Sequence, residues 1–450
     1  MHRLFGTDGV RGKAGEYPLD HETVARLGAA LVRALKADAS EPSRPLRFII
    51  GRDTRESGEW IERELGRGVH AEGAAITSAG VIPTPATAYI TRALGFDAGL
   101  VISASHNPFE DNGIKVFSGR GEKFTEVLER RVESIVADAS WQVPGGGNLA
   151  PVERTEVISA YIAHTRRALP DPERLGRFRL AIDTANGATT TVAPRLFSEL
   201  GFDVTVIGNE PNGRNINLEG GSTHPSQLAA LVREGGHRMG VAFDGDGDRA
   251  IFVDHDGRVV DGDAVMLLCA RHMKSQRRLN GNAVVATVMS NIGLELALKD
   301  SQIELIRCSV GDKYVMEEML KRDLSLGGEQ SGHVIFSDHL FTGDGIATAL
   351  NVMRTIADTG RELADLASEL VTYPQVLVNV RVKQKRELHS VPAIADAMER
   401  IEQRLGGEGR LLVRYSGTEP LLRVMIEGRD QQQIQGWAHE IADSVKRHLG

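Results

Sequence analysis

Three stretches of the chain follow one plan: "RFIIGRDTRESGEWIERELGRGVHAEGAAITSAG" from Arg47, "RLAIDTANGATTTVAPRLFSELGFDVTVIG" from Arg179, and "AVVATVMSNIGLELALKDSQIELIRC" from Ala283. Each is a short β-rich run, a polar or glycine turn, an amphipathic stretch and a second β-rich run. Two strands joined in this way lie parallel, with a right-handed crossover between them. Downstream of each unit comes a hairpin-like segment with a chemically dense turn: "GLVISASHNPFEDNGIKVF", "MGVAFDGDGDRAIFVD" and "LSLGGEQSGHVIF". Repeated domains that present different loops to one place build a single cleft from several walls, a common location for small-molecule sites.

The repeat ends near Tyr373, where "QVLVNVRV", a charged helical stretch, "GRLLVRYSGTEPLLRVMIEG" and a last helix read as a smaller α+β domain. The expected architecture is therefore α/β, with three similar α/β domains and a smaller C-terminal α+β domain around a central cleft. Boundaries fall at 1–152, 153–254, 255–371 and 372–450, the first near the glycine-rich "VPGGGNLAPV". A chain of 450 residues has room for this number of cores.

Composition narrows the ligand. A formal net charge of -8 gives no general attraction to nucleic acid or to an anionic membrane surface. The opening "MHRLFGTDGVRG" lacks the apolar stretch of a signal peptide, and no run approaches a membrane span, so a cytoplasmic protein is expected. Cys269 and Cys308 are too few and too far apart for a disulfide framework or a zinc cluster, and Cys269 reads as a buried helix residue.

The loops carry the chemistry. In "FDGDGDRAIFVD", Asp244, Asp246 and Asp248 alternate in a glycine-softened turn between two strands. Three adjacent carboxylates repel one another unless a hard cation neutralises them, and magnesium is suited to oxygen ligands of this kind. An EF-hand fails, because its sixth and twelfth positions would be Arg249 and His255 and its flanks are strands; a solvated acidic turn stays open as the plain alternative. "LLVRYSGTEPLLRVM" gathers Arg414, Ser416, Gly417, Thr418 and Arg423 at one turn. That composition binds phosphate, although alone it also fits an ordinary surface turn. In "GGEQSGH", Glu329 and Ser331 suit vicinal sugar hydroxyls, while His333 is either a proton carrier or structural.

"SASHNP", residues 103–108, ends an apolar strand with Ser103, Ser105 and His106, and Lys115 lies beyond a turn that folds it back toward the same place. By itself the stretch also fits a polar turn. The nucleophile elbow Gly-x-Ser-x-Gly is missing around Ser105, and adjacent side chains of an extended chain point to opposite sides, so a serine hydrolase is disfavoured. No Walker A sequence supplies a nucleotide cradle. A serine, an acidic loop and a phosphate dock point to phosphoryl transfer, and a phosphorylated serine of the protein is the simplest donor.

These segments, with "FGTDGVRG" at the start, resemble the α-phosphohexomutases, in family order and across essentially all 450 residues. The resemblance implies that Ser105, rather than Ser103, is the phosphoserine. It also implies that Asp244, Asp246 and Asp248 hold one Mg2+ per chain beside Ser105, itself a ligand. Glu329 and Ser331, with His333 grouped beside them, would bind the sugar. Arg414, Ser416, Gly417, Thr418 and Arg423 would dock the phosphate not being transferred. Arg11, His106, Lys115 and Arg249 match the transfer site, where Lys115 or His106 would assist proton movement. The reaction implied converts a hexose 6-phosphate to its 1-phosphate through a bisphosphorylated sugar. Gln330, "GTDGVRG" and "EPNGRNIN" at 210–217 look like the family's phosphoglucosamine branch, and the phosphomannose and phosphoglucose branch is the nearest alternative. A phosphosugar-binding regulator without turnover is the alternative from another class. The partner expected is a small phosphosugar, with no nucleic acid and no membrane, and whether two copies form a homodimer is left open.

Overall fold

Continuous apolar runs place the central strands. Ala98–Ile102, Met239–Phe243 and Ala283–Thr287 are buried at every position, as strands covered on both faces must be. The computed structural model describes residues 4–6, 8–37, 44–144, 153–154, 156–416 and 420–450.

The three repeats form three sheets that share a four-strand order. In the first, Asp111–Ser118, Ala98–Ile102, Arg47–Arg52 and Ala75–Val81 lie side by side, extended by Gly9–Lys13 and Phe5–Gly6 at one edge and Glu153–Arg154 at the other. In the second the order is Ala250–Asp254, Met239–Phe243, Arg179–Asp183 and Asp203–Ile207, with Val259–Val260 at the edge. In the third it is Val334–Phe336, Leu326–Gly328, Ala283–Thr287 and Glu304–Cys308. In every sheet the repeat's first strand pairs in parallel with its third, and the third turns back on the fourth in an antiparallel hairpin. Each dense loop sits at that hairpin turn, beyond the carboxyl end of the third strand, where open α/β sheets leave room for ligands.

By internal packing the chain divides into two compact units, Met1–Met289 with Ile306–Ala367, and Ser290–Leu305 with Ser368–Gly450. The second unit is an antiparallel sheet of Gln375–Arg381, Leu421–Glu427 and Arg410–Tyr415. Helices Pro392–Leu405 and Gln431–Leu449 bury Ile394, Ile401, Ile441 and Val445 with that sheet's Val424 and Ile426. The helix Ile292–Asp300 belongs with this unit because the buried Glu427 carboxylate accepts hydrogen bonds from Ile292 N (3.1 Å) and Asn291 Nδ2 (3.4 Å) at its start, as well as from Arg410 Nε (2.9 Å). A carboxylate there satisfies an otherwise orphaned helix N–H.

In the first unit, one carboxylate ties the second repeat to the third. Asp344 caps the helix Gly345–Thr359, accepting from Ala347 N at 2.9 Å, and the Tyr161 hydroxyl donates to both its oxygens at 2.9 Å. Burial pushes the Asp344 carboxyl up from 3.8 to about 6. Between those values the folded protein binds a proton that the unfolded chain does not, so this group's contribution to stability is full below 3.8 and is lost as pH rises through 6. Asp344→Asn keeps an acceptor for the cap and removes the charge. Urea unfolding should show the variant gaining on the parent protein by up to about 3 kcal/mol as pH rises from 4 to 7, whereas Asp344→Ala should lose about 1–3 kcal/mol at pH 4 and recover by the same pH-dependent amount toward pH 7. A pH-independent difference for Asp344→Asn would refute the assignment.

Candidate active site

The Ser105 loop, residues 103–110, joins Ala98–Ile102 to Asp111–Ser118. Ser105 itself takes a positive φ of 53°, which breaks the strand and turns its side chain inward. Its hydroxyl donates to Asp244 Oδ2 at 2.5 Å and lies 3.3 Å from His106 Nδ1. The extended-chain argument that put Ser105 and His106 on opposite sides therefore does not apply, because the left-handed turn brings both to one side. Ser103 instead supports the loop from behind, where its Oγ accepts the Ser105 N–H at 2.9 Å and donates to the buried Asp53.

The acidic loop, residues 244–249, occupies the equivalent turn of the second sheet. Gly247, at φ 72°, reverses the chain within it. Asp244, Asp246 and Asp248 are all buried, and oxygens from the three lie within 4.8 Å of one another. Burial and the neighbouring Asp248 and Asp246 push the Asp244 carboxyl well up. Asp246 Oδ1 and Asp248 Oδ1 are buried with no hydrogen-bond partner among the described residues. Orphaned oxygens around a mutually repelling set fit a hard divalent cation. Asp248, Asp312 and His333 form a second close group, but Lys123 already pairs with Asp312, and Gly343 N donates to His333 Nε2 at 3.0 Å.

Lys115, opposite Val101 in the strand pair, is buried with its Nζ 2.8 Å from both Asp246 Oδ2 and Asp248 Oδ2 and 3.1 Å from Asp8 Oδ2. Burial alone would lower its pKa; these carboxylates outweigh that and raise it well above the usual lysine value. Lys115 is thus an ammonium. For Asp248, burial is likewise outweighed, by Lys115 and His333, and its carboxyl is held well below the usual range. His106 is pushed down to about 4 by burial and by Arg249 and Arg11, so its ring is uncharged.

Above this floor opens a cleft of about 550 Å³, lined by Arg11, His106, Asp248, Arg249, Glu329 and His333 together with Asp8, Val310 and Asp312. Arg11 donates to Ala104 O at 3.0 Å and pairs with Asp8. Arg249 takes its place through its own N–H, 3.1 Å from Asp244 Oδ1, and its Nη1 lies 3.1 Å from His106 Nδ1. Glu329 Oε1 accepts Gly311 N at 3.2 Å, and Ser331, exposed on the same loop, donates to Glu329 Oε2 at 3.4 Å. His333 is buried, 3.6 Å from Asp248 Oδ1.

In the second unit Arg414 and Arg423 are direct cross-strand partners, a like-charge pairing that an anion would relieve. Ser416 N donates to Leu421 O at 2.8 Å at the end of that hairpin. Gly417 and Thr418 lie outside the described residues.

Sequence reasoning missed Asp8, Lys123 and Asp312. Asp8 stands in the quoted "FGTDGVRG" three residues before Arg11, a spacing that could have flagged their pairing. Lys123 bridges Asp8 and Asp312, joining the first repeat to the third over a separation of 189 residues that no local pattern announces.

The profiles for Phosphoglucomutase/phosphomannomutase alpha/beta/alpha domains I, II and III match residues 2–143, 159–257 and 261–373, and that of the C-terminal domain matches 377–444. Phosphoglucosamine mutases from Geotalea daltonii and Solibacter usitatus are 45% and 46% identical, over 100% and 99% of this chain and 99% of each relative. The chain belongs to the phosphoglucomutase/phosphomannomutase family, in its phosphoglucosamine mutase branch. A phosphoglucomutase/phosphomannomutase family protein from Burkholderia thailandensis shares the fold, with TM-score 0.81 at 22% identity over 100% of this chain and 99% of its own. A phosphomannomutase-like structure from Thermus thermophilus does so with TM-score 0.78 at 22% identity, over 98% of both chains.

Asp246→Asn should weaken divalent-cation binding by about tenfold or more, at least the effect of losing a partner to a metal ligand. Titration of Mg2+ against melting temperature measures it, and an unchanged midpoint would count against the acidic loop.

Proposed function

We propose that this chain interconverts glucosamine 6-phosphate and glucosamine 1-phosphate in the cytoplasm, with Ser105 as phosphoryl carrier. The observation that carries the reading is the Ser105 hydroxyl, 2.5 Å from Asp244 Oδ2 and 3.3 Å from His106 Nδ1, where His106 joins Arg11 and Arg249 in lining the cleft. A hydroxyl held between an acidic metal-type loop and two guanidiniums is arranged for a group whose charge must be neutralised as it moves.

In the forward direction the P–Oγ bond of phospho-Ser105 breaks as a bond from phosphorus to the free sugar oxygen forms, and the sugar hydroxyl's proton leaves that oxygen. That proton ends on the Ser105 Oγ that the phosphoryl group leaves, and His106, with Nδ1 3.3 Å from Oγ, or Lys115, which three carboxylates hold as an ammonium, assists its movement. The bisphosphorylated sugar then turns in the cleft, and the same transfer runs backwards from its other phosphate to Ser105. Arg11 and Arg249 face the transferring phosphoryl group. Asp244, Asp246, Asp248 and Ser105 would hold one Mg2+ per chain, which would supply charge neutralisation for that group. Glu329 and Ser331 read the hydroxyls, His333 holds Asp248 and the loop beside them, and the Arg414, Ser416, Gly417, Thr418 and Arg423 turn takes the resting phosphate. The family resemblance and the composition of each loop support these assignments.

Ser105→Ala should abolish turnover and leave no phosphate on the intact protein by mass measurement; normal turnover would sink the carrier role. Among the 6-phosphates of glucosamine, glucose and mannose, glucosamine 6-phosphate should have the highest kcat/KM, by about tenfold or more. A preference for mannose or glucose would move the chain's activity to the alternative branch.

A further inference from the structure

A non-glycine residue stays at positive φ only when its surroundings hold it there. Ser105 is held by its carbonyl. Arg55, wholly buried, donates through Nη2 to Ser105 O at 3.2 Å and to Asn107 O at 2.5 Å, while Nη1 pairs with Asp53. Asp53 in turn fixes Ser103, which accepts the Ser105 N–H. From the second repeat, Asn217 Nδ2 donates to the same two carbonyls, at 2.9 Å to Ser105 O and 3.1 Å to Asn107 O. Asn217 is itself fixed, its N–H donating to Ala185 O at 2.8 Å from a left-handed backbone with φ 58°.

The grip has a direction. Both carbonyls face the guanidinium and the amide, while the Ser105 hydroxyl donates to Asp244. Arg55 Nη2 and Asn217 Nδ2 both give their N–H groups to these backbone carbonyls. Asn217 also closes the "EPNGRNIN" segment, to which the sequence alone assigns no chemistry. Two donors from different repeats on one carbonyl pair exceed what an ordinary polar turn requires.

We propose that Arg55 and Asn217 are positioning residues for phosphoryl transfer, fixing the backbone of the Ser105 loop so that Oγ stays in line between the acidic loop and the sugar. The proposal rests on the reading of Ser105 as phosphoryl carrier. Asn217→Asp is isosteric and replaces the donating nitrogen with an oxygen that faces two carbonyl oxygens. Arg55→Lys keeps a charge but loses the fork that holds Asp53 through Nη1 and both carbonyls through Nη2.

The test measures the single-turnover rate at which dephosphorylated full-length protein takes 32P onto Ser105 from glucosamine 1,6-bisphosphate. In that step a sugar P–O bond breaks, the Oγ–P bond forms, and the serine proton passes to the sugar oxygen. Steady-state kcat and KM for glucosamine 6-phosphate and a thermal melt accompany it. Labelling rate and kcat should fall together by about 10- to 100-fold, the cost of misplacing a reacting group by about an ångström. KM should stay within about threefold, as expected for an interaction felt only in the transition state. Labelling at the parent rate in a folded variant, or a raised KM with unchanged kcat, would overturn the proposal. If Arg55→Lys fails to fold, Asn217→Asp decides alone. A parent protein that takes no label at Ser105 would instead defeat the carrier reading, and the positioning role with it.

Discussion

The structure depends on keeping a buried cluster of carboxylates in charge balance. Asp246, Asp248 and Asp8 surround the Lys115 ammonium beneath the cleft, and Asp8 also holds Arg11 and Lys123. Desolvating one carboxylate without a partner is costly; desolvating several at one point is prohibitive unless cations arrive with them. Lys115 supplies one such charge from the strand beside Ser105, yet Asp244 remains the carboxyl pushed up by burial and by its neighbours. That residual imbalance suits the loop to a divalent cation, and the Ser105 hydroxyl donates to the very carboxylate left without an ammonium.

Repeated topology explains how such different loops meet. Each sheet puts its chemical turn at the same hairpin, so the serine, the acidic loop and the Glu329 loop are three versions of one structural position. The strands below are apolar and alike in character; the turns above them carry the polar residues that differ from repeat to repeat. Ties between repeats then set the spacing. Lys123 to Asp312, Tyr161 to Asp344 and Asn217 to the Ser105 carbonyl each cross from one repeat to another.

Much of this was legible in the sequence because it is local. The β-rich runs at Arg47, Arg179 and Ala283 became parallel strands, and the three dense turns became hairpins, since hydrophobic period and turn chemistry act over a few residues. The acidic loop announced itself by spacing alone. His106 was harder: its relation to Ser105 hinges on one positive φ, which two adjacent letters do not encode. Lys115 was placed near the site by its turn, but its role as a clamped ammonium needed Asp8, 107 positions away in the chain, and Asp246, 131 away.

The sequence by itself determined the repeated α/β plan, the polar turns at its hairpins and, through their joint resemblance, the family. Tertiary structure decided protonation and aim: which carboxylates share a cation, why His106 is uncharged, and why Ser105 turns toward Asp244 while Ser103 turns to Asp53. The reason is physical. Strand and turn preferences are summed over neighbours in the chain, whereas a pKa or a hydrogen-bond direction depends on which distant groups lose water together.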